Sequence, residues 1–135
     1  MDSTLFCTAF ILQFVGHRIG DYLLQTNLQA LNKANNIKYR FRHCLVYSIS
    51  ILVVVLFGFD WVTSLSIFGL TFLEHIWIDS RTPVVKWKLF IERIIAGNKD
   101  YKIEDLPFFV LIEVDQTIHI LRIFVISLLI GYGVI

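Results

Sequence analysis

The stretch TLFCTAFILQFVGHRIGDYLL, residues 4–24, decides how this chain is read. It is apolar over about the ~20 residues that a helix needs to cross ~30 Å of hydrocarbon. Toward its end it nevertheless carries His17, Arg18 and Asp21. Met1, Asp2 and Ser3 provide no basic leader and no A-x-A-like cleavage site follows, so the stretch reads as a retained transmembrane helix rather than a cleavable signal. Three further apolar stretches cover residues 43–59, 61–78 and about 111–135. With 56% hydrophobic and only 17% charged residues, the composition points the same way. The expectation is an all-α membrane protein, a four-helix transmembrane bundle, with residues 1–135 as a single integral membrane domain. The middle two helices, joined around Gly58 and Asp60, would form a tight antiparallel hairpin.

The basic residues sharpen the topology. Lys33, Lys38, Arg40 and Arg42 fall in the first connection, and Arg81, Lys86, Lys88, Arg93, Lys99 and Lys102 in the third. Arg18 and Arg122 lie within helices, and the remaining segments hold no Lys or Arg. The positive-inside rule then places both long connections in the cytoplasm and both termini outside, in a bacterial inner membrane. Residues 83–96 mix apolar side chains with Lys86, Lys88, Glu92 and Arg93 before Gly97-Asn98. That pattern fits a short interfacial helix between helices 3 and 4 with Trp87 as its anchor, or equally a soluble helix capping the bundle. Cys7 and Cys44 would lie near opposite faces and read as plain core residues.

With this topology, all four histidines fall at one depth, one per helix. Three have an aspartate four residues away: His17 with Asp21, His75 with Asp79, and Asp115 with His119, while His43 stands alone. Residues four apart share a helix face, and Gly16 and Gly20 beside the first pair would let a neighbouring helix approach closely. Ionisable groups inside a bilayer are costly and scarce, so this convergence predicts a site before it predicts packing. Imidazole and carboxylate suit a divalent metal, zinc first and manganese or iron as alternatives. The candidate ligands are His17, Asp21, His43, His75, Asp79, Asp115 and His119. Their surplus over one tetrahedral set leaves open a dinuclear site or Asp–His pairs that orient the imidazoles. The bland alternative is a metal-free hydrogen-bonded network that fastens the helices.

The run His17-Arg-Ile-Gly-Asp21-Tyr-Leu-Leu-Gln-Thr26, followed by Lys33, His43 and Asp115-Gln116-Thr-Ile-His119, resembles a family of small bacterial and phage integral-membrane proteins of unknown function. The resemblance covers most of the chain, with HxxxDYLLQT its most specific part, and implies the same topology and residues but no activity. A looser likeness, in motif style alone, links the chain to inner-membrane metal-dependent hydrolases.

The leading functional expectation is a metal-dependent hydrolase acting at the cytoplasmic interface on a lipid-like or phosphorylated substrate. Asp115 or Glu74 would be the general base, and Arg18, Arg42, Arg81 and Arg122 would hold an anionic group. Divalent-cation or proton transport, a haem or other redox centre, and a structural partner without catalysis stay open beside it. The lipid bilayer is the expected partner, a homo-oligomer is left open, and no nucleic-acid recognition motif is present.

Overall fold

A computed structural model describes residues 1–135. The chain forms six α-helices: α1 (Ser3–Arg18), α2 (Asn27–Asn32), α3 (Ile37–Val55), α4 (Trp61–Ile78), α5 (Thr82–Phe90) and α6 (Phe108–Gly131). Polar residues set where the helices begin. Asp2 accepts from the backbone N–H groups of Thr4 and Leu5, Asn36 from Lys38, and Asp60 from Val62 and Thr63, each satisfying donors that a helix start leaves free. Thr26 and Gln29 cap α2 reciprocally, and prolines stand at the starts of α5 and α6.

Two helices continue into wider π-turns, α1 through Ile19–Leu23 and α5 through Ile91–Ile95. Such insertions in helices concentrate at functional positions, and the first of these carries Asp21.

Helix α1 packs against α3 and α6, and α3 packs against α4. The α1–α3 contact is close because Gly16 and Gly20 have no side chain: a Cβ on Gly16 would stand 2.8 Å from the Ile51 Cα, and one on Gly20 2.9 Å from the Tyr47 Cα. Away from the polar cluster the core is apolar, built on Ala9, Ile51, Val55, Ile67, Ile126 and Ile130. The two ends of the chain meet, the Asp2 N–H donating to the Gly131 carbonyl at 2.7 Å.

The architecture corrects the expected four-helix transmembrane bundle. All-α holds, but there are six helices, and only α4 is long and apolar enough to cross a membrane. The physical reasons lie in the other long helices. The straight part of α1 ends at Arg18. Helix α3 starts at Ile37, so Lys38, Arg40 and Arg42 belong to its first turns and not to a loop. Helix α6 carries Glu113, Asp115 and Arg122 along its length. The short helix α2 was not foreseen, and it returns Lys33 into the molecule.

Candidate metal centre

The side chains of His43, His75, Asp21 and Asp79 converge from three separate parts of the chain. His43 comes from α3, His75 from α4, Asp21 from the π-turn after α1, and Asp79 from the residue that ends α4. His43 Nε2 lies 2.9 Å from Asp21 Oδ1, 3.1 Å from His75 Nε2 and 3.3 Å from Asp79 Oδ2. His75 Nε2 is also 3.3 Å from Asp79 Oδ2. All four residues are buried.

One ring nitrogen carries one proton or one lone pair, so His43 Nε2 cannot bond all these neighbours at once. Donors on a tetrahedron around an ion at ~2.0–2.1 Å sit roughly 3.3 Å apart, close to the spacing found here. On α6, Asp115 and His119 extend the cluster, with His119 Nε2 3.4 Å from Asp79 Oδ1 and 3.8 Å from Asp115 Oδ2. Three groups of ligand atoms are compact enough to hold a metal ion: Asp21, His43 and His75; Cys44, His75 and Asp79; and Asp79, Asp115 and His119.

A second layer of polar groups fixes these residues. Gln116 donates to Asp21 Oδ2 at 2.9 Å, and the Gln25 amide stands 2.9 Å from His43 Nε2. The His17 ring meets the Tyr47 hydroxyl at 3.0 Å and stands 3.9 Å from Asp21 Oδ2, so His17 braces the cluster more than it joins it. Arg122, six per cent exposed, donates to Tyr47 Oη at 2.8 Å and to Thr71 Oγ1 at 2.9 Å. These contacts fix ring orientation in the way that outer partners do around metal ligands.

Lys33 brings a cation into the same cluster. Its Nζ is 3.1 Å from Asp79 Oδ1, 3.4 Å from Asp21 Oδ1 and 3.3 Å from His43 Nε2. Burial alone would lower its pKa; the carboxylates of Asp79, Asp21 and Asp115 outweigh that and hold it above the ordinary lysine range, so it stays charged.

The four histidines and three aspartates expected from the sequence are therefore brought together. The other expected site residues separate. Glu74 lies apart, in a cavity of about 260 Å³ between α4 and α6 that it shares with Trp77, Ile118, Leu121 and Arg122. Arg18 is exposed with its guanidinium 3.8 Å above the Tyr22 ring, and Arg42 is exposed beside Ile37, Lys38 and Phe41. Arg81 alone of the four arginines reaches an opening beside the cluster, a cleft of about 280 Å³ lined also by Asp21, Gln25, Lys33, Asp115 and Gln116. Its backbone is left-handed, with φ of 58°, a strained conformation for a side chain of this kind.

Sequence reasoning missed Lys33, Gln25, Gln116 and Tyr47 as site residues, although the first three stand within or between the quoted motifs. It also read Cys44 as a plain core residue, whereas the thiol lies 3.9 Å from Asp79 Oδ2.

Fold and site together define an all-α protein with a buried histidine–carboxylate centre that could hold a metal ion. The chain belongs to the family described as Protein of unknown function (DUF3307), whose family model matches residues 9–134. That agrees with the resemblance to a family of unknown function and brings no activity with it. No curated protein and no solved structure matches the chain.

Proposed function

We propose that this protein is a membrane-bound, metal-dependent hydrolase acting on a phosphorylated or lipid-like substrate. The observation that carries the reading is the convergence of His43 Nε2, His75 Nε2, Asp21 Oδ1 and Asp79 Oδ2 beside a cleft walled by two cations, Lys33 and Arg81. Zinc fits an imidazole and carboxylate set of this size, and manganese or iron would also suit it. A divalent ion held there would supply a water of lowered pKa and a positive charge facing a phosphoryl or carbonyl oxygen.

The chain's own groups do the rest. Arg81 and Lys33 bind the anionic group of the substrate in the cleft. Asp115, which lies on the cleft wall and has one carboxylate oxygen without a partner, takes the proton from the attacking water. Gln116 and His17 hold Asp21 in place. Glu74, in the separate cavity between α4 and α6, has no part in this scheme.

A membrane location is part of the proposal. Helix α4 is the helix that would cross it, and side chains such as Ile11, Leu73 and Val125 are left exposed on the outside of the molecule. Lys33 and Arg81 stand at the end of the molecule that holds the cleft, the end that the positive-inside rule assigns to the cytoplasm of a bacterial inner membrane.

The test is hydrolysis of p-nitrophenyl phosphate and of long-chain lipid phosphates by the metal-loaded protein. Asp115→Asn is expected to lower the rate ~10²–10⁴-fold, the usual contribution of a general base. Protein that holds metal yet cleaves none of these substrates would contradict the hydrolase.

A further inference from the structure

Asp79 presents its two carboxylate oxygens to two different sets of side chains. Oδ2 lies 3.3 Å from His43 Nε2 and 3.3 Å from His75 Nε2. Oδ1 lies 3.4 Å from His119 Nε2, and that nitrogen faces Asp115 Oδ2 at 3.8 Å. The second set makes no hydrogen bonds among its own members. Asp115 Oδ1 and both ring nitrogens of His119 lack hydrogen-bond partners and Asp79 Oδ1 has the Lys33 ammonium at 3.1 Å, although none of the three residues is more than 4% exposed. Buried polar atoms without partners are costly and rare, and a cation between them would satisfy several at once. A carboxylate that splits its oxygens between two ions suits ions ~3.5–4 Å apart, the separation of two-metal hydrolytic sites.

We propose that the centre is dinuclear and that Asp79 bridges it. Asp21, His43, His75 and Asp79 Oδ2 hold the first ion; Asp79 Oδ1, Asp115 and His119 hold the second. This inference rests on the metal-binding reading above. The first set supplies four protein donors, so a water on that ion takes a fifth position, whereas the second supplies three and keeps a fourth position open, as catalytic sites do. Asp115 places that second position at the cleft. Lys33 Nζ is 3.1 Å from Asp79 Oδ1, 3.4 Å from Asp21 Oδ1 and 3.3 Å from His43 Nε2, so its ammonium competes with both ions for their donors. With three protein donors against four, the second ion is the weaker, and the Lys33 side chain moves aside when the ions bind.

The experiment is a Mn²⁺ titration of the purified 135-residue chain without a histidine tag, reading bound ions by elemental analysis and spin coupling by electron paramagnetic resonance. Wild type is expected to hold two ions with an exchange-coupled spectrum. His119→Gln and Asp115→Asn are expected to hold one tightly, with an uncoupled six-line spectrum. Lys33→Met is expected to tighten the second ion about tenfold or more, since a like charge beside it is gone. Asp115→Asn, a smaller change at the cleft wall, decides the matter where His119→Gln does not fold. One ion in wild type, unchanged by either variant, overturns the dinuclear centre and leaves a single-ion site standing. Two uncoupled ions that survive both variants overturn the bridge. No bound ion at all overturns the metal reading with it.

Discussion

At the scale of single residues, ligands and braces should separate by how much affinity they carry. His75→Gln removes a donor placed between His43 and Asp79 and is expected to abolish retention of the first ion through gel filtration. His17→Gln and Gln116→Leu, which act on Asp21, are expected to weaken metal binding only ~10–100-fold, the usual effect of outer partners. Equal losses in all three would contradict the division drawn here. Lys33→Met leaves the carboxylates of Asp21 and Asp79 without their buried cation. The metal-free variant should lose ~3–5 kcal/mol in denaturant unfolding, and a bound divalent ion should restore much of it. The histidine–aspartate pairs were legible because their four-residue spacing is local to one helix and repeats three times. Lys33 was not, because its burial depends on the turn through α2 that carries it back beneath His43. A lysine in a basic connection reads as solvated until tertiary structure says otherwise.

At the scale of elements, the α1–α3 contact and the helix caps carry separate predictions. A methyl group on Gly20 would meet the Tyr47 Cα and ring, and Tyr47 in turn positions His17 and Arg122. Gly20→Ala is expected to cost ~1–3 kcal/mol of stability by overpacking and to weaken metal binding, both measurable on one sample. Unchanged values would mean that the helices slide apart freely. At the start of α4, the Thr63 hydroxyl, with the Thr63 and Val62 backbone N–H groups, holds the exposed Asp60 carboxyl below its ordinary pKa. A lowered folded pKa stabilises the fold above the unfolded carboxylate pKa and is lost as pH falls through the folded value. Asp60→Ala should therefore lower the melting temperature near neutral pH and narrow its gap from wild type in acid. Sequence pattern found the apolar cores of the long helices because hydropathy is additive along a segment. It misplaced the start of α3, since Lys38, Arg40 and Arg42 leave a helix looking like a loop when only apolar periodicity is read.

At the scale of the whole molecule, the sequence reading of four equivalent membrane spans gave way to a six-helix fold with one qualifying helix, α4. The proposed membrane location makes a direct prediction: the protein should remain in the membrane pellet after alkaline carbonate treatment, and release into the supernatant would contradict it. Convergence of the histidines survived the change of architecture because it depends on α1 packing against α3 and α6 and on α3 packing against α4, contacts that the fold keeps. The most direct test of the central claim is elemental analysis, with an absorbance spectrum, of folded protein purified without a histidine tag. At least one equivalent of zinc, manganese or iron, without a haem band, is the predicted result. Folded protein that holds no metal even after supplementation would leave the cluster as a hydrogen-bonded fastening between helices and contradict the metal centre.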